Sequence, residues 1–175
     1  MRINKKKFIY LISPNKIYPE FYQDLKKVLD TGKVGLFQLR LKKYSLKQKI
    51  VIGKKIQQIC KKNRVKFLVN DDPTLSKKLN ADGCHLGQKD MRLIEARKII
   101  GNKIIGITCH NSIKLAKSAI KEKASYIAFG AFFSTTTKKV KFKASTKILN
   151  KVKKLTKTPI VAIGGINFNN YKNCY

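Results

Sequence analysis

Four of the nine acidic residues in this chain fall between residues 70 and 90, although the chain carries forty basic residues. Asp71 follows the apolar run 67–69, and Asp90 comes four residues after a short apolar segment that ends at Leu86. Neighbouring strands of a parallel sheet lie about 5 Å apart, so carboxylates that follow two such strands reach the same edge. Asp71 and Asp90 therefore predict a site for a hard cation such as Mg²⁺.

Polar or charged residues also follow most of the other predicted strands. Arg40, Lys42 and Lys138 are suited to binding phosphate oxygens and to offsetting the charge of a leaving group. The pair Gly164 and Gly165 lets backbone N–H groups approach a second anion closely. These features predict a pocket for a diphosphate with room for another phosphate. The strand-end residues are Gln38, Arg40, Lys42, Asn70, Asp71, Asp90, Thr108, His110, Thr135, Thr137, Lys138, Gly164 and Gly165.

The elements that would position these residues alternate along the chain as strand and then helix, seven times. Repeated βα units imply a parallel sheet with right-handed crossovers. Apolar periodicity and turn residues predict strands at 7–13, 34–39, 65–69, 83–86, 104–108, 126–130 and 159–163. They predict helices at 21–30, after Ser45, and at 75–79, 91–100, 112–122 and about 145–155, with the start of another from 168.

Two architectures fit this alternation, an open doubly wound sheet and a closed barrel. The number of units, the absence of an early GxGxxG turn, and polar residues after many different strands all favour the barrel. The predicted fold class is therefore α/β, a (β/α)₈ TIM barrel formed by residues 1–175 as a single domain. We expect this barrel to be truncated after strand 7 and the start of helix 7, with the C-terminal βα unit missing.

The composition of the chain predicts a cytoplasmic protein. No run of eighteen apolar residues occurs, and the basic N-terminus lacks a small-residue cleavage site, so the sequence predicts neither export nor a membrane span. The four cysteines form no CxxC pair and lie on or beside apolar segments. This pattern is typical of reduced core thiols rather than of disulfides or zinc ligands.

The formal net charge of +31 would attract polyanions whatever the fold. However, the basic residues are 35 lysines and 5 arginines, spread along the whole chain without a basic tail. Specific base contacts favour arginine. We therefore expect nucleic acid to bind only non-specifically, through net charge, and we keep a basic non-enzymatic nucleic-acid-binding protein as an alternative.

Six segments, taken together and in this order, resemble the thiamine phosphate synthase family. They are FQLRLK (37–42), VNDDP (69–73), ADGCHLGQKDM (81–91), IGITCH (105–110), TTTK (135–138) and VAIGGI (161–166). The resemblance implies a (β/α)₈-barrel transferase with a Mg²⁺ cofactor. It joins 4-amino-2-methyl-5-hydroxymethylpyrimidine diphosphate to 4-methyl-5-(2-phosphoethyl)thiazole and yields thiamine monophosphate and diphosphate.

The resemblance also assigns roles to individual residues. It places Mg²⁺ on Asp71 and Asp90, and Thr108 stands where the family has serine. In the implied dissociative mechanism, Arg40, Lys42 and Lys138 are the catalytic residues that assist departure of diphosphate. The residues implied to bind the pyrimidine diphosphate are Gln38, Arg40, Lys42, Asn70 and Lys138, and those implied to bind the thiazole phosphate are Thr135, Thr136, Thr137 and Gly165. Thr108 is implied to be a further substrate-binding residue.

The sequence departs from the family pattern at several points. Leu41 stands where the family usually has glutamate, and Ser134 stands where it has proline. The family's eighth strand, with an Ile-Ser pair that contacts the thiazole phosphate, has no counterpart here. A thiazole tautomerase of the same superfamily is a second alternative, although Asn70, Asp71, Asp90 and Lys138 argue against it. The roles of His85 and His110 and the oligomeric state stay open.

Overall fold

The computed structural model describes residues 7–134 and 143–174. Within these residues, seven strands alternate with six α-helices, and a short 3₁₀-helix follows the last strand. The strands are β1 (Ile9–Ile12), β2 (Val34–Leu39), β3 (Lys66–Asn70), β4 (Gly83–Leu86), β5 (Ile104–His110), β6 (Tyr126–Phe129) and β7 (Ile160–Ala162). The helices are α1 (Phe21–Asp30), α2 (Leu46–Lys62), α3 (Pro73–Lys78), α4 (Leu93–Ile100), α5 (Ile113–Lys121) and α6 (Thr146–Lys153), and the 3₁₀-helix is Tyr171–Cys174.

The chain divides into two compact units. The first runs to His85 and also includes Glu95–Ile104, and the second comprises Leu86–Ile94 and the chain from Ile105 onwards. In the first unit, β1 pairs with β2, β2 with β3, and β3 with β4, all in parallel. In the second unit, β5 pairs with β6 and β6 with β7, again in parallel. The strand–helix alternation and parallel pairing that the sequence predicts are confirmed.

The two faces of β2 carry different kinds of residue. Phe37 and Leu39 belong to a buried apolar cluster with residues of α1, α2 and α3, and Leu41 extends this row just beyond the strand. Side chains alternate between the faces of a strand, so Gln38 lies on the face opposite this apolar layer. The ring of Phe37 stacks on that of Phe67 in β3, with centroids 6.3 Å apart. The Gln-x-Arg spacing therefore separates polar groups from the helix-facing core.

Local interactions fix the segment that leads from β2 into α2. The Ser45 Oγ accepts from the Gln48 backbone N–H at 3.2 Å, and the Gln48 side chain accepts from the Ser45 N–H at 2.9 Å. This reciprocal pair is a capping box, and the predicted start of a helix directly after Ser45 is confirmed. The hydroxyl of Tyr44 accepts from the Ile17 N–H at 2.9 Å, which ties the same segment to the chain that follows β1.

Several predicted boundaries were wrong. Helix α3 begins at Pro73 rather than at residue 75, because the Asp72 carboxylate caps it by accepting from the Leu75 N–H at 2.8 Å. Strand β5 continues to His110 with a register shift after Thr108, and the His110 carbonyl accepts from the Gly130 N–H. The segment after residue 168 forms only a 3₁₀-helix. In the described part of the chain, no helix combines the length and apolarity needed to cross a membrane.

Candidate active site

The carboxyl end of β2 is anchored by residues in β1 and directly after it. The Gln38 side chain, only 3% exposed, donates from Nε2 to the Tyr10 hydroxyl at 2.7 Å. The Arg40 N–H donates to the Ser13 Oγ at 2.8 Å, and the Arg40 Nη1 donates to the Asn15 Oδ1 at 2.6 Å. Sequence reasoning missed Ser13 and Asn15. Both are polar residues that follow a strand, which is the criterion that identified the other candidate site residues.

Lys42 and Asp71 form an ion pair that joins the ends of β2 and β3. The Lys42 Nζ lies 3.3 Å from the Asp71 Oδ2, and the side chains are 53% and 32% exposed. Asp71 has a left-handed backbone conformation with φ of +64°. Its N–H donates to the His85 carbonyl on β4 at 2.8 Å. A non-glycine residue in this conformation is strained by about 1 kcal/mol, and such strain concentrates at functional sites.

Asp72 and Asp82 serve other purposes. Asp72 caps α3. The Asp82 carboxylate accepts from the Lys66 Nζ at 2.8 Å and from the Phe67 N–H at 2.9 Å. Both carboxylates therefore stabilise the first unit locally, and Asp71 is the one that pairs with Lys42.

A cavity of about 320 Å³ lies beside the Lys42–Asp71 pair. Asn70 at the end of β3 and Lys49 on α2 also line it, and Leu39, Leu41, Val69 and Leu75 supply apolar walls. Sequence reasoning did not single out Lys49, because helical periodicity alone cannot separate one lysine from many others on the surface. The cavity brings cations, an amide and a carboxylate together in the first unit.

His85 is a buried neutral side chain next to these residues. It is 6% exposed, and its ring meets the Tyr10 ring edge-on with centroids 6.3 Å apart. Burial lowers the pKa of His85 to about 4, against a smaller opposing effect of the Asp71 charge. His85 is therefore uncharged near neutral pH and adds no cation to the site.

In the second unit, Asp90 and Thr108 belong to one hydrogen-bonded arrangement. The Asp90 Oδ2 accepts from the Gly87 N–H at 2.6 Å, which closes a tight turn after β4. The Gln88 Nε2 donates to the Thr108 carbonyl at 2.5 Å and so connects this turn to β5. Sequence reasoning missed Gln88. Its position two residues before Asp90 was the feature of the sequence that could have identified it as a candidate site residue. His110 ends β5 with a left-handed φ of +53°.

The glycine pair after β7 satisfies a strict steric requirement. Gly164 and Gly165 have φ of +92° and +67°, which few other residues adopt. A Cβ on Gly165 would lie 2.6 Å from the Phe133 carbonyl oxygen and closer still to that of Ser134. The Gly164 carbonyl accepts from the Phe133 N–H at 3.0 Å. The predicted residues Thr135, Thr136, Thr137 and Lys138 lie outside the described residues.

Comparisons with known proteins place the chain in a family. A family model described as thiamine monophosphate synthase matches residues 9–175. The thiamine-phosphate synthase of Pelagibacter ubique is 64% identical over 98% of this chain and 84% of its own length. The chain belongs to the thiamine monophosphate synthase family. The resemblance that the six segments indicate is thereby confirmed, and so is the classification as a transferase of thiamine biosynthesis.

Two further members of this family extend the comparison. The thiamine-phosphate synthase of Rhodospirillum centenum is 40% identical over 90% of this chain and 77% of its own length. The solved thiamine phosphate pyrophosphorylase of Pyrococcus furiosus superimposes with a TM-score of 0.83 at 29% identity, over 96% of this chain and 80% of that one. This superposition confirms the predicted TIM-barrel fold class.

The structure explains one departure from the synthase pattern. Leu41 is 4% exposed and packs with the apolar cluster between the first strands and their helices. Leucine is therefore a good fit at this position, where it also forms part of the apolar wall of the cavity. Ser134 is exposed, and nothing in the structure explains its replacement of proline.

The two predicted metal ligands have the chemistry that Mg²⁺ requires. Within residues 7–134 and 143–174, no three His, Cys, Asp or Glu side chains form a metal-binding group. A synthase of this family does not require such a group, because Mg²⁺ is commonly held by one or two carboxylates together with substrate phosphates and water. Asp71, with a partly exposed carboxylate at a strand end, fits this role.

Proposed function

We propose that this chain condenses the pyrimidine diphosphate with the thiazole phosphate to form thiamine monophosphate and release diphosphate. The observation that carries the proposal is the Lys42–Asp71 pair, which joins the ends of two adjacent strands and lines one cavity with Asn70. This site combines cations for a diphosphate with a carboxylate for its counter-ion. The order and spacing of these residues also match the family's motifs.

The pyrimidine diphosphate is proposed to bind to Gln38, Arg40, Lys42, Asn70 and Lys138, and Thr108 is proposed as a further substrate-binding residue. The hydrogen bonds from Arg40 to Ser13 and Asn15 hold its backbone and guanidinium in place. The Tyr10 hydroxyl likewise fixes the Gln38 amide. Preorganised donors of this kind stabilise charge on a leaving group without reorganising during the reaction. Thr135, Thr136, Thr137 and Gly165 are proposed to bind the thiazole phosphate.

The proposed reaction begins with cleavage of the bond between the pyrimidine methylene carbon and the diphosphate oxygen. The electron pair leaves with diphosphate, whose charge Arg40, Lys42 and Lys138 offset. The thiazole nitrogen then donates its lone pair to the pyrimidine methylene cation and forms the new C–N bond. This route needs no protein nucleophile, so the protein contributes positioning and electrostatic stabilisation.

Asp71 and Asp90 are proposed as the protein ligands of Mg²⁺, on the strength of the motif match. When bound, Mg²⁺ supplies positive charge that neutralises the diphosphate. In the free protein, the Asp71 carboxylate is balanced by Lys42 instead. A cytoplasmic location is part of the same proposal, since the substrates are small soluble metabolites.

Product analysis tests the proposal and separates it from its alternatives. We expect stoichiometric thiamine monophosphate and diphosphate when both substrates and Mg²⁺ are supplied. A thiazole tautomerase would isomerise a thiazole carboxylate phosphate and release no diphosphate. If neither reaction occurs and the protein binds nucleic acid with a steep salt dependence, the basic binding protein becomes the better account.

A further inference from the structure

The α2 helix brings one lysine to the cavity that Lys42 and Asp71 line. Lys49 is half-buried and contributes to the wall of this cavity of about 320 Å³. Its backbone is fixed, because the Lys49 N–H donates to the Ser45 carbonyl at 2.9 Å directly after the capping box. A lysine held this way presents its ammonium group from a rigid helix rather than from a loop.

The carboxylates of the cavity are already engaged by other groups. Asp71 pairs with Lys42 at 3.3 Å, and Asp72 caps α3 by accepting from the Leu75 N–H. The sequence of α2 itself contains no acidic residue. Among the residues that the structure describes, Lys49 has no carboxylate within ion-pair distance. Two lysines and two aspartates line the cavity, and among the described residues Lys49 is the lysine of this set that makes no ion pair.

We propose that Lys49 is a further anion-binding residue, which binds the diphosphate of the pyrimidine substrate together with Lys42. This inference rests on the proposed function for the identity of the substrate. An ammonium group in a recess with apolar walls is less hydrated than one on the surface, and its bond to a phosphate oxygen is correspondingly stronger. The apolar residues Leu39, Leu41 and Val69 supply these walls.

Binding of inorganic diphosphate, measured by titration calorimetry without added metal, tests this role directly. We expect Lys49→Met to weaken diphosphate binding by about tenfold or more, as for loss of one charge-assisted hydrogen bond. Lys47→Met is the matched control, because Lys47 is exposed on the same helix and faces a different direction. It removes the same charge, and we expect it to change binding by less than about twofold.

Steady-state kinetics give a second readout. We expect Lys49→Met to raise KM for the pyrimidine diphosphate and to leave KM for the thiazole phosphate unchanged. Lys49→Arg, which keeps the charge, should retain most of the affinity. Thermal unfolding of each variant checks that the fold is intact.

The outcomes separate this inference from the proposed function. Equal weakening in Lys47→Met and Lys49→Met would show a general effect of net charge and overturn the inference. So would unchanged binding in Lys49→Met, or no binding of diphosphate by the unmodified protein. If diphosphate binds through Lys49 but no thiamine monophosphate forms, the inference stands and the proposed function fails.

Discussion

The ammonium group of Lys42 lies 3.3 Å from the carboxylate of Asp71, and this ion pair connects the ends of two adjacent parallel strands. Both side chains are partly exposed, so the pair contributes little to the stability of the fold. Its importance is functional, because it places a phosphate-binding cation and a proposed metal ligand side by side. The backbone of Asp71 is strained and is held by a hydrogen bond from its N–H to the His85 carbonyl. This strain also indicates a functional role for Asp71, because backbone strain concentrates at functional sites.

Replacing Asp71 with asparagine should abolish Mg²⁺-dependent turnover and leave the fold nearly unchanged. Asparagine tolerates the left-handed conformation of residue 71, so we expect the free energy of unfolding to change by less than about 1 kcal/mol. Turnover should fall by at least about 100-fold, because the amide is a poor ligand for a hard cation. The measurements are initial rates over a Mg²⁺ titration and a denaturant unfolding curve.

Asp24→Asn provides the charge-matched control, because Asp24 lies on the exposed side of α1 next to Lys27. We expect this variant to keep its activity. A wild-type rate in Asp71→Asn would contradict the metal assignment.

Replacing Gly165 with alanine should destabilise the protein more than the same change at Gly32. Both glycines have a left-handed φ, +67° and +68°, so both variants lose about 1 kcal/mol through backbone strain. Only at Gly165 does the added methyl group also meet backbone oxygens, those of Phe133 and Ser134, whereas Gly32 has nothing within 4 Å. Thermal unfolding of the two variants measures the difference.

The same Gly165→Ala protein should show a raised KM for the thiazole phosphate, since the loop after β7 must shift. Gly32→Ala should keep the wild-type KM. Equal stabilities and equal KM values in the two variants would contradict the steric argument.

The buried His85 should make the fold weaker in mild acid. Its pKa is about 4 in the folded protein, below its ordinary value of 6.5, so the unfolded chain takes up the proton first as the pH falls. The stability supplied by neutral His85 is therefore complete above about pH 6.5 and is lost between there and about pH 4. The loss is on the order of 3 kcal/mol at most.

Denaturant unfolding of the wild type and of His85→Gln, at pH values from 7 to 4, isolates this contribution. Every other titratable group is common to the two proteins, so the difference between their pH dependences belongs to residue 85. We expect the flatter dependence in His85→Gln, and equal slopes would show that His85 does not titrate in this way.

Only one of the four cysteines should react under native conditions. Cys60, Cys84 and Cys109 are buried, and burial raises the pKa of each thiol to about 12, so thiolate is scarce. Cys174 is only partly buried. A thiol reagent at pH 8 should label Cys174 quickly and the other three only after unfolding.

Cys174→Ser should then remove the rapid labelling. Fast labelling of the three buried thiols in the folded protein would contradict their assignment as core residues.

The sequence predicts most of the fold because strand–helix alternation is a strong local signal. It fails where a single contact decides a boundary. Helix α3 begins two residues before its predicted start because the Asp72 side chain accepts one capping hydrogen bond. Strand β5 continues past Thr108 because the His110 carbonyl accepts from the Gly130 N–H. Neither contact can be recognised from hydrophobic periodicity, because each depends on the position of an individual atom.

The candidate site was predicted where residues follow strands at regular spacing, as at Gln38, Arg40 and Lys42. It was incomplete where residues act from other elements. Ser13 and Asn15 support Arg40 from the chain after β1, and Lys49 reaches the cavity from a helix. Such roles depend on tertiary packing. The assignments at Thr135–Thr137 and Lys138 stay predictions.

The most direct test of the central claim is a coupling assay on this 175-residue chain. The protein is supplied with the pyrimidine diphosphate, the thiazole phosphate and Mg²⁺, and both thiamine monophosphate and released diphosphate are quantified over time. The account predicts equal amounts of the two products, formed only when Mg²⁺ and both substrates are present. If no thiamine monophosphate forms while the protein is folded and binds inorganic diphosphate, this chain is not a synthase on its own, and the proposed function is wrong.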